Sequence, residues 1–340
     1  MKWTPLYEVH KKLGARFTTF AGFIMPLQYT SVIEEVKAVR QRVGLFDISH
    51  MGRILVKGKE VKEKLQYLTT NNLNKLKPGK VQYNLLTNEK GGIKDDITIY
   101  MLSEEEFFIC CNAANKEKVI SHLSKYLRVE DLSDKLLQFA LQGPKSEEIL
   151  SKYYDVKDLK FYRFKTFGNT ILSRTGYTGE DGFEIYIPIK EGIELFKELL
   201  KEAKPCGLGA RDVLRIEAGF PLYGHEISED ITPIEANLDR FVDLNKDFLG
   251  KEEMLKKPLK RKLFGLVMID RGIPREGYLV CKEGKEIGVI SSGTFSPTLN
   301  KGIALCFVEL PERKENNLVE VKVRDKFLKA ELKSYPFVKR

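Results

Sequence analysis

Val81-Gln82-Tyr83-Asn84-Leu85-Leu86-Thr87, then Asn88-Glu89-Lys90-Gly91-Gly92, which feeds Asp96-Ile97-Thr98-Ile99-Tyr100-Met101-Leu102, reads as strand, turn, strand. Asn and Gly accept the backbone angles that tight turns demand, and the β-branched and aromatic flanks suit a pleated surface. Before this hairpin, apolar residues recur at helical spacing over 61–68. After it come a third apolar strand, 106–111, and a helix over 114–127 with Lys and Glu outward. Strands joined by Gly/Asn turns and interrupted by helices predict an antiparallel sheet with helices on one face.

The same texture extends both ways. Upstream, 7–13 has helical spacing with Gly14 as its stop, and Ser31 caps a helix at 32–39 with Glu34 completing a capping box. Residues 44–52 read as a strand running into a turn, followed by a strand at 53–58. Downstream, 138–144 is a strand and turn, and 176–182 is a Gly-rich turn leading to a strand at 183–188. A helix at 192–204 follows, and Asp212 is expected to cap a helix at 213–218. From 246 onward, short strands alternate with Gly, Pro and charged turns, the pattern of a small β domain. The fold class expected is therefore α+β and multidomain, built of antiparallel sheets with a C-terminal β domain.

Composition narrows the function. The 340 residues suffice for two or three domains, and 42% hydrophobic with 31% charged residues excludes a disordered chain. No apolar run approaches the roughly 20 residues of a membrane helix, and the N-terminus has no signal-like apolar segment. Five cysteines without CxxC spacing indicate neither a disulfide framework nor a zinc site, which leads us to expect a cytoplasmic, reducing environment. The net charge of +9 favours anionic partners. Basic residues are interleaved with Glu, without an RNA-binding aromatic motif, so no nucleic acid is expected.

Four segments could carry chemistry. Asp95 and Asp96 are neighbours on a strand, so one faces inward and the other away. An inward carboxylate is a natural acid/base or charge stabiliser, although both could simply cap a hairpin. Gly176-Tyr177-Thr178-Gly179-Glu180-Asp181-Gly182 lacks the order of a nucleotide loop. It is either a tight hairpin or a place where backbone approaches a flat ligand beside Tyr177. Glu184 could accept the paired N–H donors of an aminopyrimidine-like edge. Arg211 suits a carboxylate or phosphate, or a nearby acid. His50 reads as structural, and four scattered histidines make a metal site unexpected.

Together these segments resemble the aminomethyltransferase, or T-protein, family of the glycine cleavage system. The resemblance runs through Thr4-Pro5-Leu6-Tyr7, Met25-Pro26-Leu27-Gln28-Tyr29 and Gly44-Leu45-Phe46-Asp47-Ile48-Ser49-His50-Met51. It continues in Gly91-Gly92-Ile93-Lys94-Asp95-Asp96, the Gly176–Gly182 segment, Gly207-Leu208-Gly209-Ala210-Arg211-Asp212, Leu214-Arg215-Ile216-Glu217-Ala218-Gly219 and Thr294-Phe295-Ser296-Pro297-Thr298-Leu299. It implies a three-domain cloverleaf around a central folate cavity: a split folate-binding domain (1–52 with 138–245), an inserted ferredoxin-like domain (53–137) and a C-terminal, jelly-roll-like β barrel (246–340). It implies transfer of a one-carbon unit from the aminomethyl-lipoyl group of H-protein to tetrahydrofolate. The products are 5,10-methylenetetrahydrofolate, ammonia and dihydrolipoyl H-protein, with the P- and L-proteins as the other system components.

Carried over by motif, the resemblance implies Asp95 as the catalytic carboxylate, with Asp96 its opposite-facing structural neighbour. It implies Glu184 on the pterin, Arg211 near the polar groups of the folate, and Tyr83, Tyr177, Met51 and Asn112 lining the cavity. Arg275 falls in a segment near the lipoyl entrance, and Lys339 or Arg340 could meet the folate tail. The same superfamily also holds folate-dependent iron–sulfur assembly proteins and RNA-linked binding proteins. The assembly proteins' Lys-Gly-Cys-Tyr-type motif has no cysteine counterpart in Lys246-Asp247-Phe248-Leu249-Gly250-Lys251-Glu252-Glu253.

Overall fold

The structure, a computed structural model, describes residues 1–339; Arg340, one of the two expected tail residues, lies outside the described residues. The chain divides into two compact units. The first comprises residues 1–86, 95–211 and 243–248, and the second comprises 87–94, 212–242 and 249–340.

The first unit carries three sheets. A six-stranded sheet runs in the order Phe164–Phe167, Thr170–Ser173, Gly182–Pro188, Leu136–Gln142, Gly44–Asp47, Lys204–Cys206. All its pairs are antiparallel except the last. A five-stranded sheet runs Val81–Thr87, Ile93–Ser103, Glu106–Cys111, Gly52–Lys57, Val129–Asp131. A small sheet joins Lys2–Trp3, Phe23–Gln28 and Arg16–Phe20.

Alternation decides what the six-stranded sheet does with its two faces. Leu137, Phe139 and Leu141 join Phe183, Ile185 and Ile187 on one face, against the helix Ile189–Leu199 through Leu195, Phe196 and Leu199. Phe139 meets Phe196 edge to face at 5.4 Å. The opposite face presents Leu136, Ile171 and Tyr186 to Val81, Tyr100, Phe108 and Cys110 of the five-stranded sheet. Residues of matching parity on these strands, including Tyr83, Asp96, Asn112 and Glu184, therefore fall on the facing sides of the two sheets.

The second unit holds a closed six-stranded barrel in the order Arg261–Met268, Lys301–Glu309, Lys285–Ser296, Leu279–Lys282, Leu318–Val323, Lys326–Lys333. Closure removes the unpaired edges that an open sheet would expose. Its interior is aliphatic, with Leu266, Ile290, Val308, Val321 and Leu332 buried together. Ser296 donates to the buried Glu217 carboxylate at 2.5 Å within this unit.

Local expectations are met with two corrections. Ser31 caps its helix by accepting Glu34 N–H at 3.1 Å. Asp212, however, is not an N-cap: the helix spans Leu208–Ala218, and its first bond runs from Arg211 N–H to the Gly207 carbonyl. A Cβ on Gly207 would lie 2.3 Å from the Leu27 carbonyl oxygen, so glycine is what lets the helix start there. The helix expected at 192–204 begins earlier, at Ile189, because Pro188 presets its entry. It ends at Leu199, and Lys204 opens a strand. No helix among the described residues is long and apolar enough to cross a membrane, and none of their His, Cys, Asp and Glu residues cluster to hold a metal.

Candidate functional site

The two aspartates divide as alternation demands, Asp95 to the buried side and Asp96 to the more accessible one. Asp95 shares parity with Ile97 and Ile99, is fully buried, and is saturated by amides. Its Oδ1 accepts Asn112 Nδ2 and Asn115 Nδ2, each at 2.8 Å, and its Oδ2 accepts the Asn112 backbone N–H at 3.0 Å. Asp96 shares parity with Tyr100, so it faces the six-stranded sheet and is half-buried. Its Oδ2 accepts the Tyr83 hydroxyl at 2.9 Å and its Oδ1 accepts Asn112 Nδ2 at 2.6 Å. Asp95, the carboxylate expected to carry the chemistry, is therefore buried among amides, and Asp96 is the more accessible of the two.

Asn112 joins the pair, since its amide reaches both carboxylates. Two acids this close in a desolvated position cannot both ionise freely. Burial, then the charge of Asp96, push Asp95 up to about 7, against the pull of the Asn115 and Asn112 amides. Asp96 is also raised, by burial, while Tyr83 and Asn112 oppose the shift.

Across from them, Glu184 lies on the strand Gly182–Pro188, half-exposed between buried neighbours. Thr175 donates to its Oε1 at 2.5 Å, and Oε2 accepts no hydrogen bond among the described residues. Burial raises the Glu184 carboxyl, with Thr175 and Arg211 pulling the other way. Arg211 stacks its guanidinium over the Tyr177 ring at 4.7 Å, and that guanidinium donates no hydrogen bond among the described residues. Loss of water around it lowers the Arg211 pKa, opposed by the charge of Glu184 and by Tyr177. Tyr83 feels Asp96, Tyr177 and Tyr162, which ties the aspartate group to the Tyr177–Arg211–Glu184 group.

The structure thus brings together Asp96, Asn112, Tyr83, Tyr177, Arg211 and Glu184. Met51 packs half-buried against the same apolar cluster between the sheets. Met51 also lines a separate cavity of about 360 Å³ with Ser49, His50, Arg53 and Lys116, none of which is among the grouped residues. Arg275 belongs to the second unit, where it is exposed just ahead of the strand Leu279–Lys282. Sequence reading missed Asn115, whose only signal was its three-residue offset from Asn112. It also missed Thr175, whose parity with Ser173 carries it to the Glu184 side.

The arrangement offers an open carboxylate with two donors, a second carboxylate near neutrality behind it, a free glutamate oxygen and a guanidinium held flat on a ring. That set suits a planar, donor-rich ligand on which positive charge develops.

Comparison with known proteins is consistent with this geometry. Residues 6–246 match the GCVT N-terminal domain and residues 261–339 the glycine cleavage T-protein C-terminal barrel domain. The chain is 69% identical to the aminomethyltransferase of Aquifex aeolicus, covering 99% of this chain and 95% of that one. It is 46% identical to that of Thermosipho melanesiensis, over 99% and 97%. The crystal structure of glycine cleavage system aminomethyltransferase T from Bartonella henselae superposes with a TM-score of 0.95 at 36% identity, over 99% of this chain and 98% of that one. With both family domains present over nearly its whole length, the chain belongs to the glycine cleavage T-protein family and is an enzyme of the aminomethyltransferase class.

Proposed function

We propose that this enzyme moves the one-carbon unit of an aminomethyl-lipoyl H-protein to tetrahydrofolate, releasing ammonia and leaving dihydrolipoyl H-protein. The observation that carries the reading is a half-buried carboxylate, Asp96, and a glutamate oxygen that accepts no hydrogen bond among the described residues on facing sheet surfaces, with a guanidinium stacked on Tyr177 beside them.

The residues present fit the folate. Glu184 Oε2 is an acceptor for the donor edge of a pterin, and its other oxygen is already fixed by Thr175. Arg211, held flat by Tyr177, offers parallel N–H donors to the polar groups of the cosubstrate. Tyr83, Met51 and Tyr177 supply flat or deformable apolar surface. When bound, tetrahydrofolate supplies the nitrogen that accepts the one-carbon unit. Asp96 stabilises positive charge at the transferred carbon, and Asn112 and Tyr83 prevent it from turning away. Asp95 acts behind it, as a carboxylate whose protonation near neutrality sets the charge of the pair. In this reading Arg275 stands near the lipoyl arm, the chain divides at 1–52 with 138–245, 53–137 and 246–340, and the H-protein is met in the cytoplasm. The +9 charge would steer an acidic carrier protein.

The test is formation of methylenetetrahydrofolate by the purified chain given aminomethyl-lipoyl H-protein and tetrahydrofolate. Product that requires both partners supports the reading. Folate binding without product would favour a folate-dependent assembly or binding role.

A further inference from the structure

Glu184 is the end of a buried chain of hydrogen bonds that starts at a cation. Arg53 is 1% exposed. Its Nη2 donates to the carbonyls of Ser49 at 3.0 Å and Ser133 at 2.7 Å, and its Nη1 donates to Gln138 Oε1 at 3.1 Å. Gln138 Nε2 lies 3.4 Å from the Tyr186 hydroxyl. Tyr186 and Tyr100 hydroxyls are 2.8 Å apart, Tyr100 and Ser173 3.0 Å, and Ser173 and Thr175 2.7 Å. Thr175 closes the chain on Glu184 Oε1.

Proton counting gives this chain one direction. A guanidinium only donates, so Gln138 must turn its oxygen toward Arg53 and its amide N–H toward Tyr186. At the other end the ionised Glu184 carboxylate only accepts, so Thr175 donates to it, Ser173 to Thr175, Tyr100 to Ser173 and Tyr186 to Tyr100, which leaves Tyr186 to accept the Gln138 N–H. Each hydroxyl that accepts becomes a better donor to the next, so the members polarise one another. The strand register supports the geometry, with Gln138 opposite Tyr186 and Ser173 opposite Glu184.

We propose that Arg53, Gln138, Tyr186, Tyr100, Ser173 and Thr175 form a one-way hydrogen-bond relay that positions Glu184 and presents its free oxygen as a pure acceptor to a pterin-like donor edge. The inference rests on the reading that Glu184 binds the folate. These are positioning residues: they act through Glu184, and their protons stay on their own atoms. The charged and titratable groups around Glu184 are Arg211 from the helix Leu208–Ala218, Tyr100 and Cys110 from the five-stranded sheet, and Tyr186 from its own strand. Of these, only Arg211 opposes protonation of Glu184 by its charge, so a hydroxyl aimed at the carboxylate matters to its state.

The experiment measures tetrahydrofolate binding to the full chain against pH, together with kcat and KM, for Thr175→Val, Thr175→Ser and Tyr186→Phe. Thermal melts confirm folding of each variant. Thr175→Val should weaken folate binding ~10-fold at pH 7, move its acid limb upward and leave kcat at saturating folate within about 2-fold. Thr175→Ser should restore both. Tyr186→Phe keeps the ring and removes only the relay proton, so it should shift the acid limb the same way by a smaller amount, with a ~3-fold loss of affinity. An unmoved acid limb in both Thr175→Val and Tyr186→Phe overturns the relay, whether or not affinity falls. Glu184→Gln, measured alongside, separates the two ideas: wild-type folate affinity in that variant refutes the folate reading itself.

Discussion

Exchanging each aspartate of the pair for asparagine separates contact from support. Asp96 faces the sheet opposite and is only half-buried, so its carboxylate can come within about 4 Å of a developing positive charge. At an effective dielectric of ~20 that is worth about 4 kcal/mol. Partial exposure screens some of it, leaving about 3 kcal/mol, or roughly a 10²- to 10³-fold loss in kcat for Asp96→Asn. Asp95→Asn acts differently. Its new amide places an N–H₂ against a donor from Asn112 or Asn115, costing about one charge-assisted bond and loosening Asn112. Part of that is transmitted to Asp96, giving a loss of about 10-fold. The pH profile is the sharper signature. With Asp95 at about 7, the wild-type pair gains its second negative charge between roughly pH 6 and 8, so kcat should rise across that range. Asp95→Asn has no second charge to gain and should be flat there. The assay is single-turnover formation of methylenetetrahydrofolate from pre-loaded H-protein, with folate binding measured separately. Near-wild-type turnover in Asp96→Asn beside an inactive, folded Asp95→Asn would refute the assignment and return the contact role to Asp95.

Three further outcomes follow from other contacts. Asp47 is pulled down to about 2: burial works against this, but His10 at 2.8 Å, Thr4 at 2.6 Å and the Ser49 N–H outweigh it. A depressed carboxylate stabilises the fold above its unfolded pKa of 3.8 and loses that contribution as pH falls toward 2. Asp47→Asn should therefore cost about 2 kcal/mol at neutral pH and flatten the stability curve between pH 4 and 2, as read by denaturant titration at stepped pH. Gly176→Ala would set a Cβ 2.0 Å from Gln142 Oε1, a side chain already held by Thr178 and by the carbonyls of Thr175 and Phe183. That displacement should raise KM for tetrahydrofolate by 10-fold or more with a smaller effect on kcat. Arg211→Lys keeps the charge but loses the flat stack on Tyr177, so folate affinity should fall about 10-fold with unchanged thermal stability; calorimetric titration reads it.

What could be read in advance was what depends on local periodicity. The hairpin around Asn88–Gly92 follows from turn chemistry, the Ser31 cap from its residue type, and the short barrel strands from alternation and punctuation. The helix over Leu208–Ala218 was misread because Asp212 is a good capping residue that here sits inside the helix. There its Oδ1 accepts Arg215 Nε at 2.8 Å. Nothing local tells an interior Asp from a cap; the backbone approach at Gly207 does, and that is a tertiary fact. The site shows the same division. Residue types and order were legible, and resemblance picked out the pair. Which aspartate lies on the side of the six-stranded sheet required knowing which strand face meets that sheet. Tyr100 could have served as the marker, since it shares the parity of Asp96 four residues on and a large aromatic ring belongs on a covered face. The relay to Glu184 was out of reach, because Arg53, Tyr100, Gln138 and Thr175 come together only when strands far apart in sequence pair.

The first unit pairs buried Glu180 with Arg40 at 2.9 Å, but at Glu35, Asp47, Arg53 and Asp95 the buried ionisable group is met mainly by directed N–H or O–H donors or by carbonyl acceptors. Glu35 accepts the N–H groups of Tyr29 and Gly207, both at 2.8 Å, and Asp95 is surrounded by asparagine amides. Dipoles of this kind cost no reorganisation when charge appears nearby, whereas a mobile counter-ion would follow it. A removed partner leaves its carboxylate desolvated and unmatched, a penalty of about 1–3 kcal/mol that a surface ion pair does not carry. The arrangement therefore fixes the carboxylate geometry before a ligand arrives, at the expense of tolerance to substitution. Asn112, an uncharged residue, ties the pair together: its side-chain amide bonds both carboxylates and its backbone N–H holds Asp95.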